Sequence, residues 1–181
     1  FVLPVQQVSR PHLNFRGYSG TIASGDIKVG EEIVTIPSQQ KAKIKEVYIG
    51  DKSIKSASFR DSVTLTLNKE IDISRGDVLC KKDSLVETAD QFNVNMIWMA
   101  EEKCFPGRSY IAKTHNSSTG IKILGIKKLY NVNTLEHQPS KELQLNDVAE
   151  VTISLNKSIP YINYQDNKFL GSMILIDPLT N

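Results

Sequence analysis

Residues 15–32 read FRGYSGTIASGDIKVGEE, and the spacing of their glycines decides how the chain folds. Gly17, Gly20, Gly25 and Gly30 punctuate short segments of alternating polarity, Thr21-Ile22-Ala23 and Asp26-Ile27-Lys28-Val29. A period of two marks a half-buried strand, and glycine takes a positive φ without steric cost. The stretch predicts a hairpin: a strand, a turn at Ser24-Gly25-Asp26, a strand, then a turn at Val29-Gly30-Glu31. Gly20 and Gly25 also have the G-x-x-x-x-G spacing of a phosphate-binding loop, but such a loop continues with Lys and Ser or Thr. Here Asp26 and Ile27 follow, and an aspartate at that place repels phosphate. The glycines are therefore read as turn formers of a small β-barrel.

The same grammar extends in both directions. Upstream, Val2, Val5 and Val8 with Pro4 and Pro11 predict an entering edge strand, where proline is tolerated. Downstream, Glu32–Ile36 reads as a strand closed by Pro37-Ser38. Lys41, Lys43 and Lys45 share one face of the next strand. Its alternation then slips, because Val47 and Ile49 are out of phase with Ala42 and Ile44; a β-bulge near Lys45-Glu46 accounts for the slip. Ser62–Leu67 alternates without error, and Arg75-Gly76-Asp77 turns into a short strand at Val78–Cys80. The polar stretch Lys81–Gln91 reads as a tether. Beyond it, Val94, Met96 and Trp98 lie on one strand face, with Ile97 and Met99 on the other. Ile121–Tyr130 is a long apolar strand broken by Gly125, as at a barrel corner. Asn131–Leu143 reads as a loop with one helical turn. Val151, Ile153 and Leu155 alternate with Glu150, Thr152 and Ser154, and Met173–Ile176, apolar on both faces, reads as a central strand. The expectation is an all-β chain of two consecutive small antiparallel β-barrels: residues 1–82, a linker at 83–91, and residues 92–181.

Composition narrows the function. Lys and Arg total 22 against 20 Asp and Glu, a net charge of +2. That near-balance gives no strong pull toward nucleic acid or anionic membrane. No apolar run approaches the roughly 18 residues of a membrane span. Cys80 and Cys104 have neither C-x-x-C nor zinc spacing and read as reduced, partly buried thiols. With no signal peptide visible and Phe1 rather than Met at the start, the chain is expected to be a piece of a longer cytoplasmic protein.

The residues that carry chemistry elsewhere are scattered here. His12, His115 and His137 stand outside any metal-binding spacing and read as surface or loop residues. No nucleophile elbow or triad order is present. Glu70, Asp72 and Asp77 cluster near a turn, where aspartates most often accept backbone amides. The lysine stripe suits either a phosphate backbone or protection of an edge strand; the near-zero charge and the lack of interleaved aromatics favour protection. No catalytic, cofactor-binding or metal-binding residue is expected. Arg16, Tyr18 and Arg75 stand beside turn glycines at the barrel rims and are the candidate partner-interface residues. The alternative is an arginine lying over the end of a barrel.

The motif Arg16-Gly17-x-x-Gly20-x-Ile22-x-x-Gly25-x-Ile27-x-x-Gly30 resembles the second domain of the translation-factor GTPases. Ile73–Leu79 (ISRGDVL) looks like the closing segment of that domain, and the second β block looks like the third. Within this superfamily the chain is most similar to the family of GTP-binding large subunits of bacterial sulfate adenylyltransferase (CysN type). That closer likeness rests on Leu3-Pro4-Val5-Gln6, Ile73–Asp77, Trp98-Met99-Ala100-Glu101 and the tail Ile174–Asp177 with Thr180-Asn181. The resemblance implies a parent that makes adenylylsulfate and pyrophosphate from ATP and sulfate, driven by GTP hydrolysis. It implies GTP and magnesium as cofactors of the parent, bound outside this chain. It implies two partners, a small catalytic subunit and the parent's own GTPase domain, with membrane excluded and nucleic acid not expected. An elongation-factor-like module binding aminoacylated RNA is the alternative.

Overall fold

A computed structural model describes residues 1–12, 15–115, 117–131, 134 and 136–179; the tail residues Thr180 and Asn181 lie outside the described residues. Among the described residues there are strands and turns and no helix, so none is long and apolar enough to cross a membrane. The chain divides into two compact units. One comprises Phe1–Thr88, Thr114–Ser117 and Ile159–Met173; the other comprises Ala89–Lys113, Ser118–Ser158 and Ile174–Asn181. The first unit thus includes two segments that lie, in chain order, within 92–181.

In the first unit the strands are β1 (Val2–Pro4), β2 (Gln7–Ser9), β3 (Gly17–Thr21), β4 (Asp26–Lys28), β5 (Glu32–Ile36), β6 (Lys41–Ile49), β7 (Lys52–Ile54), β8 (Ser56–Ser58), β9 (Ser62–Leu67) and β10 (Val78–Cys80). The main sheet runs β1-β10-β5-β6-β9-β3-β2, with β7 on β6 and a separate β4-β8 pair. Its first and last strands belong to one stretch of chain. Val5 N donates to Asp77 O at 2.8 Å on one side, and Gln6 N donates to Ser19 O at 2.8 Å on the other. The sheet therefore curls back onto the segment where it began. That segment was expected at an edge; instead it is bonded on both sides, with Val2, Pro4 and Val5 buried.

Gly20 permits this approach. A Cβ at Gly20 would stand 2.3 Å from the Pro4 carbonyl oxygen, a rigid backbone atom. Leu3, Val5, Ile27, Ile33, Val47, Leu65 and Leu79 then fill the interior with no exposed surface. A second apolar cluster lies on the other face of β1, β10 and β5. It holds Val2, Val34, Ile36, Val78 and Cys80, together with Ile162, and Leu170 packs against it. These three strands are therefore buried on both faces, which is why Val2–Pro4 and Val78–Cys80 read as continuous apolar runs rather than alternations.

The turn glycines behave as their positions require. Gly25, Gly30 and Gly76 have φ of 69°, 89° and 104°. The expected hairpin, however, does not form. β3 pairs with β2 and β9, and β4 pairs with β8, so the two strands flanking Gly25 go to different partners. The β-bulge is present between Ile44 and Glu46. The lysine stripe does not guard an edge, because β6 is internal, bonded to β5 over residues 41–43 and to β9 over residues 44–48.

The remaining strands are β11 (Glu87–Ile97), β12 (Ser109–Lys113), β13 (Ser118–Tyr130), β14 (His137–Gln138), β15 (Val148–Tyr161) and β16 (Ile174–Ile176); they lie in the second unit except for the first two residues of β11 and the last three of β15. Their order is β11-β15-β13-β12-β16, with β14 on β13. The pairs Ile121↔Leu155 and Ile123↔Ile153 set four buried side chains on one face, and Trp98 meets Tyr110 edge-on at 5.5 Å. The register breaks between Ile123 and Gly125, where the sequence placed its corner. Three expectations change. β11 begins at Glu87, inside the stretch read as linker. Residues 131–143 contribute β14 and no helical turn among the described residues. β16 ends the sheet with Ile174 60% exposed, so it is an outer strand rather than a central one. The all-β class and the antiparallel sheets are as expected.

The close approach at Gly20 makes a measurable difference between two glycines. Gly20→Ala drives a Cβ into backbone and lowers the unfolding free energy by about 1–3 kcal/mol. Gly30→Ala faces open space and incurs only the left-handed backbone penalty, about 1 kcal/mol. Urea denaturation of both variants checks the order; an equal or reversed order contradicts the packing described.

Candidate functional site

Two of the three residues expected at an interface lie at the start of β3, and the bulge in β6 delivers more. Arg16 precedes β3 and Tyr18 lies within it. The Arg16 guanidinium carbon sits 5.7 Å from the Tyr18 ring centroid, and its Nη2 is 4.0 Å from the Asp72 carboxylate. Arg10 reaches Glu70 at 3.4 Å. Tyr18 is not the exposed rim residue expected. It is 1% exposed, in the core, and its hydroxyl donates to Ile71 O at 3.3 Å. Burial pushes its phenol above the ordinary tyrosine range. An alternating strand buries Tyr18 with Gly20 and Ile22, but the flanking glycines hide that period in the sequence. Tyr18 thus serves as a platform under Arg16 rather than as a contact of its own.

Above that platform lies a groove of about 390 Å³ lined by Phe15, Arg16, Lys45, Glu46, Lys69 and Glu70 among others. Gly17 shapes it: a Cβ there would collide with the Phe15 ring at 2.7 Å and the Thr64 methyl at 2.6 Å. The three lysines of the stripe are exposed at alternating positions of β6. Lys41 stands 4.0 Å from Glu32, Lys43 N donates to Asn68 Oδ1 at 2.8 Å, and Lys45, at the bulge itself, faces the groove. The groove is therefore charged in both signs, three cations against two carboxylates. Phe15, Lys45, Glu46 and Lys69 were not singled out as a set; the one signal pointing to them was the phase slip at Lys45-Glu46.

Arg75 lies apart from the residues lining this groove. It is exposed on a turn in which Asp77 Oδ2 accepts Ser74 N at 2.9 Å, the backbone-capping role expected of that aspartate.

The remaining reactive groups are held in inert surroundings. Cys80 is buried, with Sγ 3.7 Å from Val34 O, and Cys104 is buried too. Burial raises both thiols above their ordinary range, which suppresses the thiolate. Tyr110 lies under the Arg108 guanidinium at 5.5 Å, and Arg108 is paired with Asp177. The Tyr110 hydroxyl has no oxygen or nitrogen partner among the described residues. Its polar neighbour is the Cys104 thiol, and burial drives its phenol far above the usual value. His12 and His137 are exposed. His115 lies in the bend between β12 and β13, half-buried against Phe169. Among the described residues no three His, Cys, Asp or Glu side chains are grouped to hold a metal.

Comparison with known proteins places these features in context. Residues 91–181 match the family model for the GTP-eEF1A C-terminal domain-like family. Sulfate adenylyltransferase subunit 1 of Saccharophagus degradans is 42% identical over 181 residues, which are 100% of this chain and 38% of that protein. The subunit 1 of Aliivibrio fischeri is 43% identical over the same span, again 38% of its length. The chain therefore spans well under half of these curated relatives. Among solved structures, Sup35 complexed with GDP superposes with a TM-score of 0.89 at 17% identity, over 98% of this chain and 44% of that one. At that identity the likeness speaks for the fold alone.

Two tyrosines separate satisfied from unsatisfied burial. Tyr18→Phe removes the donor to Ile71 O and costs about 1 kcal/mol. Tyr110→Phe removes a hydroxyl with no oxygen or nitrogen partner and leaves stability within about 0.5 kcal/mol. Thermal or urea unfolding of the two variants reads the difference; an equal loss in both contradicts the assignment.

Proposed function

Because the chain belongs to the GTP-eEF1A C-terminal domain-like family, we propose that it is the non-catalytic β portion of the GTP-binding subunit of a sulfate adenylyltransferase. The observation that carries this reading is the likeness to subunit 1 of that enzyme along the whole chain. In this reading the parent enzyme joins sulfate to the adenylyl group of ATP and releases pyrophosphate, coupled to GTP hydrolysis, in the cytoplasm. The two β units act mechanically: they pack against a GTPase domain and a small catalytic subunit and pass on the nucleotide state as a rearrangement. Arg16, Arg75 and the charged rim of the groove at Lys45 and Lys69 are the residues through which they engage those partners.

The glycine pair with phosphate-loop spacing is used for close packing instead. Gly20 and Gly25, the pair with phosphate-loop spacing, have their Cβ positions filled by the Pro4 carbonyl and the Phe1 amine. That leaves no cradle for a phosphate. In this reading nucleotide and metal are bound by another part of the parent.

A second reading, a module for the end of an aminoacylated RNA, is favoured by one observation: Arg16, Lys45 and Lys69 share a groove with the Phe15 ring. The two readings separate in one set of titrations. The proposal expects the chain to show no measurable binding of GTP with magnesium by calorimetry. It also expects only weak retention of aminoacylated RNA in filter binding. Measurable GTP binding or hydrolysis by this chain contradicts the mechanical role. Tight RNA binding whose logarithm falls steeply with the logarithm of salt favours the second reading.

A further inference from the structure

The segment Ile159–Met173 belongs to the first unit and is held there by specific contacts. Ile162 is 4% exposed in the cluster on β1, β10 and β5, and Leu170 packs against the same cluster. Asn167 fastens the segment twice. Its Nδ2 donates to Ala23 O at 2.9 Å, and its Oδ1 accepts the amides of Phe169 and Leu170 at 3.0 and 3.1 Å. Gly171 lets the segment fold on itself, since a Cβ there would meet the Tyr164 backbone at 2.4 Å.

Beside this segment lies the only histidine among the described residues that is not exposed. The His115 ring stacks on Phe169 with centroids 3.6 Å apart. Its Nε2 is 3.0 Å from Gln6 Nε2. With the Gln6 amide nitrogen facing the ring, Gln6 donates and the neutral His115 accepts at Nε2. Gln6 is the residue between β1 and β2 whose own backbone N–H bonds to Ser19 O.

We propose that the Gln6–His115–Phe169 cluster is a protonation-sensitive latch that loosens the segment Ile159–Met173 from the β1-β10-β5 face in mild acid. Protonation puts an N–H where the Gln6 amide now donates, and it places a charge in a half-buried site. Arg75 and Asp77 flank Gly76, which abuts Ser117, and Lys168 precedes Phe169. Burial is the one cause that lowers the His115 pKa from its ordinary value. The neutral ring is thus favoured when the segment is docked, so the undocked state binds more protons. Docking is at full strength above about pH 6.5 and weakens as pH falls from there through the lowered folded-state value.

Hydrogen exchange tests this in the intact protein. The amides of Asn167, Leu170 and Gly171 are the reporters, corrected for intrinsic exchange, between pH 7.5 and 5. Their opening is expected to rise below about pH 6.5 by up to about tenfold per pH unit. His115→Gln keeps an acceptor for Gln6 and does not titrate, so its protection is expected to stay level over the same range. Protection that is constant in the unsubstituted protein, or that falls equally in His115→Gln, overturns the proposal. An NMR titration of the His115 ring gives an independent reading if that variant does not fold: a midpoint below about 6.5 supports the latch, and a midpoint at or above it overturns it.

Discussion

The first unit depends on how closely residues 2–9 lie against the rest of the sheet. That stretch starts the sheet on β10 and ends it on β3, so its backbone is hydrogen-bonded on both sides, at Val5 to Asp77 and at Gln6 to Ser19. The approach is possible because Gly20 presents no Cβ to the Pro4 carbonyl. Once the stretch is in place, β1, β10 and β5 are buried on both faces. Apolar area on two sides roughly doubles what each short strand contributes at about 25 cal/mol per Å². Strands of three residues are otherwise too short to hold a sheet. Glycine spacing, double-sided burial and the curl of the sheet are one arrangement seen at three scales.

That arrangement also places the candidate interface. β3 is fixed by pairing with β2 and β9, which sets Arg16 over the buried Tyr18 ring. Lys45, at the bulge, lines the same groove, while Lys41 and Lys43 lie beside β5. The outcome is a surface charged in both signs beside the Phe15 ring. A surface of mixed charge beside an aromatic ring offers anchors for another chain. The proposal of a mechanical role in a sulfate adenylyltransferase agrees with that, as does the likeness to the subunit 1 proteins.

Much of the fold was legible because local rules govern it. The glycine turns at 25, 30 and 76 and the corner at Gly125 follow from conformational freedom, and the slip at Lys45-Glu46 shows directly as a break in a period of two. What failed was long-range pairing. Ser56–Ser58 is polar and three residues long, with only Ala57 buried, so nothing in its pattern announced β8 as the partner of β4; the adjacent β3 appeared to be the natural mate. Likewise Ile174–Ile176 is apolar enough for a central strand, yet the register places it at the end of its sheet. Glu32–Ile36 is buried on its second face by residues more than 120 positions away, which no local window can report. The site was half legible for the same reason. Arg16 was visible beside its glycines, whereas Lys69 becomes its neighbour only through the fold.

The central claim, that this chain serves as the β portion of a sulfate adenylyltransferase GTP-binding subunit, is tested most directly by exchange. The corresponding 181-residue span of the Saccharophagus degradans subunit 1 is replaced by this chain, and GTP-dependent adenylylsulfate formation is measured with the matching catalytic subunit. The account predicts a chimera that retains the GTP-dependent rate to within about tenfold, the scale on which a few altered interface contacts act. A chimera that folds and hydrolyses GTP but forms adenylylsulfate without any response to GTP contradicts it.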